Sequence, residues 1–193
     1  MTAKRILVAC EFSGVVRDEF IVAGFDAVSC DILPTESKGP HITGDVLPLL
    51  REPWDLVIAH PPCTFLCNSG VRWLHEREGR WQQMREGAEF FLACLNANAP
   101  CVAVENPVMH RYAREVIGRG PDCTVQPWEH GDPYTKRTAF WLKGLPPLVP
   151  SKVVEGREAA CHKEPPSADR AKNRSRTYPG IARAMVEQWA SFV

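Results

Sequence analysis

Apolar residues occur along this chain in two rhythms. Short, nearly continuous runs at 6–9, 26–30, 56–59 and 101–104 have the length expected of strands covered on both faces of a parallel sheet. Between them lie segments with helical spacing. Over 15–23, Val16, Phe20 and Val22 or Ala23 share one face, and Gly24 stops the helix. Over 76–98, Trp81, Met84, Ala88, Phe91, Leu92 and Leu95 recur at intervals of three and four, and Pro100 ends that helix. Further helices are predicted over 109–117 and 181–192. A Pro/Gly loop at 34–40 precedes a short strand and turn over 42–45. Two late strands, 124–126 and 138–142, flank a polar turn around Gly131-Asp132-Pro133. Strand–helix alternation and then a hairpin-like pair predict an α/β, doubly wound, mostly parallel sheet with one antiparallel strand. The expectation is one domain over 1–193, without internal repeats.

Composition narrows this little. The 193 residues are 45% hydrophobic, enough for a sizeable core. Lys+Arg and Asp+Glu balance at 23 each, so any grip on nucleic acid must come from a local basic groove. The start, Met1-Thr2-Ala3-Lys4-Arg5, lacks a signal-peptide layout, and no apolar run reaches membrane-spanning length. A soluble cytoplasmic protein with no membrane partner is expected. The eight cysteines are scattered and read as mostly buried thiols. His60, Cys63 and Cys67 have no second ligand pair, and no metal site is expected.

The chemistry gathers at strand ends. After the run 56–59, Pro61 and Pro62 stop the ladder, since neither has an N–H to give. Cys63 comes next, beyond the carboxyl end of the strand, where open α/β sheets bind ligands and where a nucleophile would be held. Asp31, Asp45 and Glu105 close three other strands, and parallel strands bring such ends to one edge. An acid after the second strand suits ribose hydroxyls, and Phe12 beside Ser13-Gly14 offers an aromatic face next to a close backbone approach. Together these suggest a nucleoside-type cofactor.

In this order the motifs resemble those of the cytosine-C5 methyltransferases, a family dependent on S-adenosyl-L-methionine. Glu11-Phe12-Ser13-Gly14 resembles the first motif, whose Phe packs on the cofactor adenine. Asp31, with Ile32 beside it, resembles the ribose-binding acid, and Gly44-Asp45 the Asp that reads the adenine amino group. Pro61-Pro62-Cys63 with Gly70 resembles the catalytic Pro-Cys motif, with Pro61 also at the cofactor. Glu105-Asn106 resembles the Glu-Asn motif, and Gly131, Pro133, Lys136 and Arg137 an altered Gln-x-Arg-x-Arg motif. A short phage- or prophage-associated subgroup is closer still, through Asn68-Ser69-Gly70-Val71-Arg72-Trp73, Gln126-Pro127-Trp128, the stretch 141–148 and the stretch 175–182. The resemblance implies a class I, Rossmann-like methyltransferase fold of seven strands with a late antiparallel hairpin.

It also implies a mechanism. A Cys63 thiolate adds to C6 of cytosine and makes C5 nucleophilic, so its pKa must fall below the free value of about 8.5. Glu105 stabilises the adduct at N3, and Lys136 and Arg137 stand either at the active site or on the surface. Cys67 is read as a packing thiol, His60 as a turn residue, and Trp73, Trp81 and Trp128 as structural. The segment 146–178, expected to be irregular, replaces the family's target-recognition region. It is poor in apolar residues and basic through Lys163, Arg170, Lys172, Arg174 and Arg176. It suits phosphates better than a base sequence. Three readings stay open: a minimal DNA enzyme helped by a partner protein or second copy, an enzyme for a free cytidine nucleotide such as dCMP, and a silent cofactor-binding module.

Overall fold

The computed structural model describes residues 3–193. Met1 and Thr2, with which the expected domain and its start begin, lie outside the described residues. The first half alternates as its pattern demands: β1 (Arg5–Ala9), α1 (Val15–Val22), β2 (Asp26–Asp31), β3 (His41–Thr43) and β4 (Leu56–Ala59). Next come α2 (Trp73–Glu76), α3 (Arg80–Leu95), β5 (Cys101–Pro107), α4 (Arg111–Ile117), β6 (Cys123–Val125) and β7 (Thr138–Lys143). The chain closes with α5 (Ala160–Lys163), α6 (Arg170–Ser175) and α7 (Pro179–Trp189).

All seven strands lie in one sheet, ordered β3-β2-β1-β4-β5-β7-β6. The pairings from β3 through β5 are parallel, and β7 runs antiparallel between β5 and β6. Strand alternation divides the core. Leu7, Ala9, Val57, Ala59, Val102 and Val104 face Met84, Ala88 and Phe91 of α3, and Ala113 and Ile117 of α4. Ile6, Val8, Leu56, Ile58 and Ala103 face Val16 and Phe20 of α1, and Ile181, Met185 and Trp189 of α7. With both faces covered, the central strands read as continuous apolar runs. Among the described residues no helix is long and apolar enough to cross a membrane.

Three expected boundaries move for local reasons. The helix expected over 76–98 is interrupted because Arg77 turns extended after α2, and Gly79 at φ +73° then opens α3. The helix expected from 109 begins at Arg111, since the His110 side chain accepts the Ala113 N–H at 3.0 Å and caps it. The segment expected to be irregular contains α5 and α6, yet none of residues 149–179 is fully buried. It lies on the domain without a core of its own.

One core residue was not expected. Arg17, between Val16 and Phe20, is completely buried. Its guanidinium pairs with Asp18 at 2.8 Å and donates to Ser29 Oγ at 2.9 Å and to the Thr35 hydroxyl and Pro40 carbonyl at 3.3 Å. It thereby pins the loop between β2 and β3 to α1. Arg17→Ala would strand these acceptors and leave a cavity, and the expected loss is about 3 kcal/mol. The check is a lowered urea midpoint with an unchanged slope.

Candidate active site

The strand ends are level. Ala9 is in register with Cys30 and Ala59, and Ala59 with Val104. The residues just past these strands therefore emerge at one edge, where the order reverses between β1 and β4, the usual ligand crevice of such sheets.

Past β1 the backbone turns at Cys10, a non-glycine residue at φ +58°, a conformation costing about 1–2 kcal/mol. The turn is held by Glu11 N–H donating to the Cys30 carbonyl at 3.2 Å. The Glu11 carboxylate accepts the N–H groups of Val16 at 2.7 Å and Arg17 at 3.3 Å, and the Ser13 hydroxyl at 3.3 Å. These are free donors at the start of α1, so Glu11 and Ser13 shape the loop. Gly14 is at φ +76°, and a Cβ there would collide with Ser37 Oγ and the Arg17 guanidinium. Phe12 is buried, with Lys172 Nζ 5.3 Å and Arg176 Cζ 5.7 Å from its ring centre. Both cations also bind Glu36, Lys172 at 2.8 Å and Arg176 through two nitrogens at 2.8 and 2.9 Å. The Glu36 carboxyl is drawn down to about 2 by these two partners. Thus α6 is tied across the aromatic residue of the first motif.

The remaining cofactor candidates suit a nucleoside. Asp31 at the end of β2 uses Oδ1 to accept the Leu33 N–H at 2.9 Å and makes no other side-chain hydrogen bond among the described residues. Ile32 beside it is 79% exposed, an uncovered apolar surface next to a carboxylate. Asp45, exposed, accepts the Leu47 N–H at 3.0 Å. Pro61 is buried at the head of the turn that follows β4. A spare carboxylate oxygen that can accept ribose hydroxyls, beside an open apolar face, fits the nucleoside half of S-adenosyl-L-methionine.

The loop after β4 is stitched to the end of β5. Asn106, wholly buried, donates from Nδ2 to the Pro61 carbonyl at 2.9 Å. His110 N–H donates to the Leu66 carbonyl at 3.0 Å and Asn68 N–H to the Val108 carbonyl at 3.1 Å. His110 Nδ1 accepts from Ala113, so Nε2 carries the proton and donates it to the Phe65 carbonyl at 3.1 Å. Arg80 donates to the Thr64 carbonyl at 2.8 Å and lies over the Phe65 ring at 4.2 Å. Cys63 thus sits on a turn braced from β5, α3 and α4.

Glu105 meets His60, whose Nδ1 is 3.1 Å from Oε2, with the two side chains 14% and 8% exposed. Burial pushes the Glu105 carboxyl up. The His60 hydrogen bond, the Lys136 and His60 charges and the Thr138 hydroxyl outweigh it, and the net direction is down. His60 is therefore a partner of the acid rather than a simple turn residue. Of the basic pair, Lys136 lines a small cavity with Glu105, Thr138 and Tyr178, whereas Arg137 is exposed and lines neither of the two cavities at this edge. The approach to β7 already alternates, which sends neighbours to opposite sides.

The thiols hold a surprise. Cys63 is pushed up by its hydrogen bond with Cys67, by burial, and by the nearby charges of Cys67 and Glu105. Cys67 is pulled down, chiefly by the hydrogen bond from Cys63, against burial and with help from the Ser69 hydroxyl and the N–H groups of Ser69 and Gly70. Its sulfur is 3.1 Å from Ser69 Oγ. The two thiols share a proton, and the Ser69 hydroxyl with the N–H groups of Ser69 and Gly70 favours negative charge on the pair. The four-residue spacing of Cys67 from Cys63 was the one available signal, as the place of Asn106 beside Glu105 was for its brace.

No family model matches the chain, and no curated protein matches it. Among solved structures, a protein described as a DNA modification methyltransferase encoded within a prophage of Escherichia coli superposes with a TM-score of 0.52. The two are 15% identical, and the match covers 86% of this chain and 56% of that one. The fold is that of a class I methyltransferase. A mutant of Spodoptera frugiperda DNMT2 matches at TM-score 0.41 and 12% identity, over 80% of this chain and 57% of that one. An Escherichia coli rRNA methylase matches at 0.40 and 17%, over 74% and 57%. This methyltransferase-fold chain spans little more than half the length of each.

Proposed function

We propose that this protein transfers a methyl group from S-adenosyl-L-methionine to C5 of cytosine in DNA, through a covalent bond between Cys63 and C6. The observation that supports this is the Asn106 bond to the Pro61 carbonyl, which ties the turn bearing Cys63 to the end of β5 next to the Glu105–His60 pair. The same convergence argues against a silent cofactor-binding module. Asp31, Ile32, Asp45 and Phe12 would hold the cofactor, with Pro61 at its edge and Glu11, Ser13 and Gly14 shaping the loop.

When bound, S-adenosyl-L-methionine supplies an electrophilic methyl group. Cys67, hydrogen-bonded to Cys63, receives as a thiolate the Cys63 proton while the Cys63 sulfur forms its bond to C6. Glu105, sharing a proton with His60, stabilises N3 while electron density rises at C5. Lys136 adds positive charge beside Glu105. A hydroxide or water from solvent then takes the C5 proton, the C5–H electrons restore the C5–C6 double bond, and Cys63 leaves as a thiolate. The activity belongs to the cytoplasm, the host's for a phage protein, and a second copy or helper protein would add grip on DNA.

A free cytidine nucleotide such as dCMP is the second reading, favoured by the absence of a core in residues 149–179. Label transfer from S-adenosyl-L-methionine, offered duplex DNA, single-stranded DNA and dCMP separately, decides. Labelled 5-methylcytosine in DNA is expected. Label in dCMP alone replaces DNA by the nucleotide, and bound cofactor without transfer to any substrate removes the catalytic reading.

A further inference from the structure

Phe12 has no open face. Its ring is 6% exposed, and two cations lie over it, Lys172 Nζ at 5.3 Å and Arg176 Cζ at 5.7 Å from the ring centre. A nucleobase stacked on that face would stand about 3.5 Å from the ring. Only roughly 2 Å would then separate the base from either cation, well inside non-bonded contact. Ile32 and Asp45, by contrast, are exposed. The pocket assigned to the nucleoside is open at those residues and shut at Phe12.

The cover is α6 with Arg176 directly after it, and it is fastened on two sides. On the cofactor side, Glu36 binds Lys172 at 2.8 Å and Arg176 through two nitrogens at 2.8 and 2.9 Å. The Glu36 N–H donates to the Phe12 carbonyl at 2.9 Å, so the fastening point moves with the ring it covers. On the catalytic side, the Arg176 carbonyl accepts from Lys136 Nζ at 2.9 Å. None of residues 170–176 is fully buried. The cover therefore has no apolar anchor, and its half-exposed ion pairs are individually weak. Segments held in this way open locally without unfolding the domain.

We propose that α6 and Arg176 form a clasp over the cofactor pocket, which opens by release of Lys172 and Arg176 from Glu36 so that the adenine of S-adenosyl-L-methionine can reach Phe12. The inference rests on the cofactor reading of Phe12 above. Cofactor enters only the fraction of molecules with the clasp open, and the apparent affinity is scaled by that fraction. Opening also withdraws the Arg176 carbonyl from Lys136, which leaves all three N–H groups of the ammonium for the catalytic edge. Arg176 thus links the two halves of the site, its side chain at the cofactor and its carbonyl at the lysine beside Glu105.

The test follows S-adenosylhomocysteine binding by stopped flow and by equilibrium titration. Glu36→Gln keeps the shape of the side chain and removes its ion pairs with both cations. It is expected to speed association and tighten binding, each by roughly 3–10-fold. Arg176→Gln, which keeps the backbone carbonyl, should act in the same direction. Salt screens an exposed ion pair and exerts no steering on a probe without net charge. Association with the wild type should therefore quicken as ionic strength rises, and association with Glu36→Gln should not. Rates and affinities within about twofold of wild type in both folded variants overturn the clasp and leave the cofactor reading intact. No binding by any form removes the cofactor reading and the clasp together. Clasp-dependent binding without methyl transfer keeps the clasp and removes only the cytosine-methylation reading.

Discussion

Cys63→Ala is expected to lower methyl transfer by on the order of 10⁴-fold or more, because it removes the sulfur that forms the bond to C6. Cofactor affinity should stay within about threefold, since Cys63 makes none of the nucleoside contacts. S-adenosylhomocysteine titration and label transfer measure the two effects separately. Loss of both would mean a collapsed turn rather than a missing nucleophile. A cytosine substrate carrying fluorine at C5, which has no C5 proton to lose, should trap the wild-type protein as a covalent adduct and leave Cys63→Ala free. Cys67 gives the complementary result. With Cys67 present, the proton of Cys63 has a nearby acceptor at neutral pH. In Cys67→Ala, Cys63 must ionise by itself, still held up by burial and by Glu105, so the rate should fall at neutrality and climb only as pH rises past the free-thiol value of about 8.5. If Cys67→Ala abolishes the adduct and Cys63→Ala does not, the nucleophile is Cys67.

Glu105→Gln is expected to reduce kcat by roughly 10²–10⁴-fold. The amide keeps the shape of the carboxyl and can touch N3, but it cannot pass a proton between N3 and His60. Cofactor affinity should not change, because Glu105 lies on β5 while Asp31 and Ile32 stand at the end of β2. The readout is single-turnover transfer with saturating substrate, which separates chemistry from binding. A rate within about threefold of wild type would show that N3 needs no proton from this position.

These two residues were legible in the chain, but their relations to neighbours were not. Four-residue apolar runs marked the strands, and polar residues just past them marked the edge. Helical spacing at Met84, Ala88, Phe91 and Leu95 marked α3, which the structure buries as expected. By contrast, Arg17 sits on an apolar helix face with nothing nearby in sequence to show that Ser29, Thr35 and Pro40 would receive it. Asn106 could be read as half of a motif, yet its bond to the Pro61 carbonyl joins the ends of separate strands. The basic stretch 163–176 could be read as cationic, but not as folded over Phe12 and Glu36.

The sequence by itself determined the alternation of strands and helices, the thiol after two prolines and the acids at strand ends. All three are local properties, set by side-chain periodicity and by the missing N–H of proline. Only the tertiary structure decided which groups meet. It paired Glu105 with His60, brought the Cys63 and Cys67 thiols together, drew Lys136 inward while leaving Arg137 outside, and folded α6 across Phe12. Those outcomes depend on desolvation and on distances between residues far apart in the chain, and neither exists until the sheet has formed.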